Sequence, residues 1–191
     1  MVSVNTPISA LTAATEIDIS SWIESSAQRF SSSEVELIRN ACDLAAPLYS
    51  DHTELTGAPL LLHALGAASI LIDMNMDAET IAATLLHAVP EHLNDWQVTL
   101  TARFGTSIAG LVEGIARMEQ IQEFSETEGL HNQNRKNSDQ SQQVEGLRKM
   151  LLAMVQDIRV VLIKLAERTQ TMRCLSGASQ DLQRKVAQES Q

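Results

Sequence analysis

Apolar side chains recur along this chain at steps of three and four, not two. Val35, Leu37, Ile38, Ala41, Leu44 and Ala45 keep that spacing, as do Ile108, Leu111, Val112, Ile115 and Met118. The strongest run is Met150, Leu151, Met154, Val155, Ile158, Val161, Leu162 and Leu165, with charged residues filling the opposite face. Such spacing lays one apolar stripe along a helix and does not fit a half-buried strand. Only 8 Gly and 4 Pro punctuate the 191 residues, too few turns for a sandwich or barrel. A hydrophobic fraction of 44% supplies a sizeable core. The sequence predicts one all-α domain, a compact multi-helix bundle.

Residues 1–16 are small and polar and read as a loose tail. A first helix is predicted from Asp18 through Trp22 and Ile23 towards Phe30, broken by Ser31, Ser32 and Ser33. Ser33 and Glu36 have capping-box spacing for a second helix ending near Tyr49. Residues 50–59 read as a loop. Leu60 to Met74 is a helix, and Asp77 caps the next, which carries Ile81, Thr84, Leu85 and Val89 before Pro90. Asp95 to Phe104 forms a short helix closed by Gly105, and Thr106 to Ile121 another. Residues 122–146 are rich in Gln, Asn and Ser and bury too little to offset ordering entropy, which predicts a mobile polar insert. Helical periodicity resumes at Leu147. It forms one helix or two with a break near Asp157, because Ile158-Arg159-Val160-Val161 is a poor helix former. Ser179 to Gln188 reads as a short polar helix.

The formal net charge is -10 and unevenly spread. Residues 1–100 hold 13 acidic and 2 basic side chains, and residues 101–191 hold 11 and 12. The acidic half repels phosphate backbones, so general nucleic-acid binding is not expected. Two cysteines, Cys42 and Cys174, make neither a disulfide framework nor a zinc pattern and suit a reducing cytoplasm. Nothing local makes Cys42 a low-pKa thiolate. The N-terminus lacks the basic and apolar regions of a signal peptide, and no apolar stretch reaches the ~18 residues of a membrane span.

Phosphate-binding glycine loops, nucleophile elbows and HExxH pairs are absent from the sequence. Of five histidines, His52 lies in a loop and His131 in the polar insert, and both read as solvated. His63 and His87 fall within apolar helical stretches, LLLHALGAAS and TLLHAVPEH, where a hydrogen-bonded core histidine is the commoner case. Glu91 follows His87 by four residues and shares its side of the helix unless Pro90 ends it. Glu167 lies in KLAERTQTMR. Two histidines and a carboxylate from separate helices suit a metal, but Ala88 adds no donor.

Three segments, GAPLLLHALGAASILIDMNMDAETIAATLLHAVPEH, FGTSIAGLVEGIARM and RKMLLAMVQDIRVVLIKLAERTQTMRCL, together resemble the RelA/SpoT family of guanosine tetraphosphate (ppGpp) synthetase–hydrolases, and specifically its N-terminal HD-type hydrolase domain. The likeness spans roughly residues 35–175. It implies an HD-domain-like bundle over 17–177, with insert 122–146, and places 178–191 at the start of a helix leading to a synthetase domain outside this chain. In active members a first His, a His-Asp pair and a late Asp hold manganese. A Glu-Asp pair and an Asn assist hydrolysis of the 3′-pyrophosphate.

Here the first His is His63 and the second His87, but the paired Asp is Ala88. Glu91 keeps its place, whereas its Asp is His92. The late Asp is Glu167, the Asn is Thr171 and the His before it is Gln170. A basic substrate-binding residue is replaced by Glu54. The resemblance therefore implies vestigial catalytic positions (Glu91, His92, Thr171), vestigial metal positions (His63, His87, Ala88, Glu167) holding no metal, and a vestigial substrate position (Glu54).

The pattern is similar to the synthetase-only RelA branch. It implies an inactive regulatory HD domain of a GTP pyrophosphokinase of the stringent response, cytoplasmic and away from membranes. The implied partner is the synthetase domain, which uses magnesium, in a full-length protein associated with the ribosome; this domain itself contacts no nucleic acid. A basic face of Arg148, Lys149, Arg159, Lys164, Arg168 and Arg173 is a candidate for the synthetase contact, or a solvated face. The alternative is an active metal-dependent ppGpp 3′-pyrophosphohydrolase using His63, His87, Glu91 and Glu167, with His92 as a substitute ligand.

Overall fold

The computed structural model describes residues 18–54, 56–131 and 157–175, with 121–131 as backbone only. Helix α1, Ile19–Ser26, is capped by Asp18, whose carboxylate accepts from the Ser21 N–H at 3.0 Å. A 3-10 turn, Ala27–Arg29, leads to α2, Ser32–Tyr49. Its cap is Ser31 and not Ser33. Glu34 accepts from the Ser31 backbone N–H at 2.8 Å and from its hydroxyl at 2.6 Å. Three consecutive serines offer the same capping chemistry, and Glu34, three residues on from Ser31, selects the first.

Helix α3 is Leu60–Asp73 and α4 is Ala78–Leu85, the latter capped by Asp77 through the Thr80 N–H at 2.8 Å. A single turn, α5, covers Val89–His92, and α6 runs Trp96–His131. Within α6 the backbone breaks at Gly105, with φ 84°. That left-handed conformation is closed to most side chains, and it falls where the sequence divides two helices. Beyond Gly105, α6 continues ten residues past the predicted end at Ile121. Helix α7, Ile158–Leu175, follows non-helical Asp157, whose carboxylate accepts from the Arg159 N–H at 2.9 Å. The tail 1–16, the remainder of the insert (132–146), the run from Leu147 and the helix predicted over 179–188 lie outside the described residues.

The core forms around α3 and α4. Helix α3 lies against α4 and α7, α4 against α2 and α6, and α6 against α7. Every side chain of α4 from Thr80 to Leu85 is buried, as are Leu60, Leu61, Ala64, Leu65, Ala67, Ala68, Leu71 and Ile72 of α3. The many small residues let helix axes approach closely. At Gly66 a Cβ would meet the Gln170 amide, the end of a side chain on α7 that would then have to shift. The Trp22 indole N–H donates to Ser69 Oγ at 2.9 Å and ties α1 to α3. Among the described residues there is no strand, only an isolated bridge between Thr53 and Pro59 closing the α2–α3 loop. No described helix is long and apolar enough to cross a membrane.

Candidate functional site

His63 sits in the first turn of α3, 3% exposed. His87 does not lie in a helix. Helix α4 ends at Leu85, earlier than the predicted stop at Pro90, and Leu86 to Ala88 form a turn. The cause is Pro90, which has no N–H for the Leu86 carbonyl and whose ring would clash with it. The turn brings His87 Nδ1 to 2.9 Å from the Thr84 carbonyl. A carbonyl only accepts, so Nδ1 is the donor, and in the neutral tautomer with this bond Nε2 holds the lone pair. The two buried rings stand with centroids 6.0 Å apart.

Glu54 completes this group. A tight turn holds it: its N–H donates to the Ala58 carbonyl at 2.9 Å, and its own carbonyl accepts from Gly57 at 2.8 Å. Its Oε1 stands 4.0 Å from His63 Nε2. One donor atom each from Glu54, His63 and His87 lies within 4.8 Å of the other two, the sole such group of three among the described residues. Sequence reasoning placed Glu54 at a lost substrate position and missed it as a donor. A loop residue has no helical periodicity, and only the turn chemistry of TGAP hinted that residue 54 folds back towards α3.

The surroundings are aromatic and polar. Tyr49, the last residue of α2, is 1% exposed, and its hydroxyl accepts from the Ala88 N–H at 3.1 Å. Its ring meets His87 and His92 edge-on. His52, predicted to be uninvolved, stacks on His92 at 4.0 Å between centroids. Glu91 of α5 is exposed, while His63 Nδ1 and His92 Nε2 are buried without a hydrogen-bond partner. Burial, reinforced by His87 and opposed by Glu54, lowers the pKa of His63. Burial and the neighbours His52 and His87 lower that of His92.

Helix α7 supplies Glu167, Gln170 and Thr171. Glu167 is buried, and its Oε2 lies 2.7 Å from Lys164 Nζ, while Oε1 has no partner. Lys164 also reaches Glu119 of α6 at 2.8 Å. Burial alone would lower the Lys164 pKa, but the two carboxylates raise it. Thr171 donates to the Glu167 carbonyl at 3.1 Å, within its own helix. Arg159 pairs with Asp157 at 2.6 Å, Glu79 at 3.3 Å and Asp77 at 3.5 Å. Arg159 and Lys164 are thus engaged by carboxylates of the domain; Arg148 and Lys149 lie outside the described residues. Burial pushes the Cys42 thiol up to about 12 and also raises Cys174, so neither is a ready nucleophile.

The donor set that the family resemblance assigns to manganese does not close here. Ala88 offers a methyl group, and Glu167 is bonded to Lys164 and falls outside the group of three donors within 4.8 Å of one another, although its charge still acts on His63.

A family model described as an HD domain matches residues 41–191. Among curated proteins, the guanosine-3′,5′-bis(diphosphate) 3′-pyrophosphohydrolase of Vibrio cholerae is 37% identical over 157 residues, covering 82% of this chain and 20% of that protein. The bifunctional (p)ppGpp synthase/hydrolase SpoT of Escherichia coli is 36% identical, with 82% and 20% covered. A GTP pyrophosphokinase of Myxococcus xanthus is 35% identical, with 82% and 19% covered. The chain spans about a fifth of the length of these relatives.

Proposed function

The chain belongs to the RelA/SpoT family through its HD domain, and on that premise we propose that it is a regulatory HD domain in which hydrolysis of guanosine tetraphosphate has been lost. The observation that carries this reading is Ala88. It is 3% exposed and follows His87 directly, and its backbone is held by Tyr49. A methyl group therefore occupies the place where the resemblance calls for a ligand carboxylate. Three further features support the same reading. Glu167 is neutralised by Lys164, Thr171 is turned to its own helix, and the carboxylate of Glu54 faces the two histidines and would repel a polyphosphate. In this reading the fold persists to pack against and restrain a synthetase domain. The whole cytoplasmic, ribosome-associated enzyme would transfer pyrophosphate from ATP to GTP or GDP with magnesium.

One observation favours the second reading, an active metal-dependent 3′-pyrophosphohydrolase. Two buried histidines still converge with a carboxylate, and several similar proteins are named for that hydrolysis. A single assay separates the two. The purified chain is incubated with guanosine tetraphosphate and manganese, and pyrophosphate release is measured. No release above the protein-free control is expected. Turnover that a chelator abolishes would overturn the regulatory reading.

A further inference from the structure

We infer that Glu54, His63 and His87 form a divalent-metal site of altered composition, in which the α2–α3 loop supplies the carboxylate that position 88 and α7 no longer give. The inference concerns which cation the pocket takes and which residue completes it. It does not depend on whether hydrolysis survives.

Each ligand has a separate structural warrant. His87 is held through Nδ1 by the Thr84 carbonyl at 2.9 Å, the outer-sphere contact that orients metal-bound imidazoles and leaves Nε2 to coordinate. His63 is 3% exposed, and its Nε2 stands 4.0 Å from Glu54 Oε1. Glu54 is placed by backbone hydrogen bonds to Ala58 and Gly57 and does not trail from a free loop. The three donor atoms lie within 4.8 Å of one another. Donors on a tetrahedral ion at bonds of about 2.0–2.2 Å stand about 3.3–3.6 Å apart, so side-chain movement of about 1 Å closes the site. Lys164, by contrast, holds Glu167 at 2.7 Å.

Two imidazoles and one carboxylate suit borderline ions, zinc above all. Magnesium and calcium want more oxygens than the group provides. Bound zinc would cross-link the α2–α3 loop, α3 and the α4–α5 turn.

The test is zinc titration of the metal-free chain against a chromophoric chelator, with stoichiometry checked by elemental analysis. One equivalent is expected. Glu54→Gln should weaken binding at least tenfold, and Glu167→Gln should leave it within about threefold of the parent. Should Glu167→Gln fail to fold, the paired change Lys164→Met with Glu167→Leu makes the same comparison, with Glu119 alone left unpaired. Cobalt substitution adds a second readout, since visible bands of the parent should vanish in Glu54→Gln. The inference is overturned if the parent binds no zinc, if Glu54→Gln binds as well as the parent, or if the Glu167 variants lose at least as much affinity as Glu54→Gln.

Discussion

Lys164 and Glu167 lie one turn apart on α7, with Nζ 2.7 Å from Oε2 and side chains only 19% and 7% exposed. A charge pair this deep matters chiefly when one partner is removed, because the survivor is left buried and uncompensated. Lys164→Met strands both Glu167 and Glu119. It should cost about 3–5 kcal/mol, read as a lower urea midpoint with an unchanged slope. Adding Glu167→Leu should restore much of the loss. A single variant as stable as the parent would show that the pair is open to water.

Burial lowers the pKa of His63 below its ordinary 6.5, and His92 shifts the same way. The unfolded chain therefore binds protons just below pH 6.5 that the native rings refuse. Stability is full above that pH and declines as pH falls through the window between 6.5 and the native values. Glu119, whose pKa burial raises above its ordinary 4.5, works in the opposite sense. Urea midpoints of the metal-free chain should fall from pH 7.5 to 5.5, and His63→Gln should flatten that slope. A decline equally steep in the variant would refute the assignment.

The helical skeleton was legible because its signals are local. Asp77 and Gly105 mark boundaries by capping and by a positive φ, and the periodic stripes of α2 and α6 are the ones that pack inward. The cap at Ser31 was displaced because three serines are chemically equivalent until Glu34 chooses. The site was legible only in part. His63 and His87 stood out as polar residues in apolar stretches. His87 was nevertheless placed inside a helix, because the effect of Pro90 reaches back past the residue just before it. Glu54, Tyr49 and Lys164 depend on how the α2–α3 loop and α7 meet the core. Their sequence separation from His87 hides that relation from any local pattern.

Gly66 and Gln170 should prove energetically coupled. Alanine normally stabilises a helix interior relative to glycine by roughly 1 kcal/mol, but at Gly66 its Cβ would meet the Gln170 amide. Overpacking of that kind costs about 1–3 kcal/mol, so Gly66→Ala should be net destabilising. In a Gln170→Ala background the collision is gone, and the same change should become neutral or stabilising. Strict additivity of the two changes in a double-mutant cycle would mean that α3 and α7 separate freely at this point.

The last prediction tests the lost hydrolase directly. Ala88→Asp alone buries a carboxylate beside His87 in a site 3% exposed. It should lower the thermal midpoint, and added manganese should recover part of that loss. It should yield little turnover, because the other positions still fail. Glu167 stays paired with Lys164, His92 provides no carboxylate, and Thr171 bonds its own helix. Each missing acid or base group is worth on the order of 10²–10⁴ in rate. Residues that act as a unit are strongly non-additive. Ala88→Asp, His92→Asp, Glu167→Asp and Thr171→Asn together should therefore release pyrophosphate from guanosine tetraphosphate faster than the single variants combined. Adding Glu54→Arg removes the carboxylate facing His63 and presents a cation to the phosphates. It should lower KM more than it raises kcat, and it should transfer the metal from the Glu54 set to the restored aspartates. If the five-residue variant binds manganese and folds but stays inert, the loss of hydrolysis lies elsewhere than in these positions.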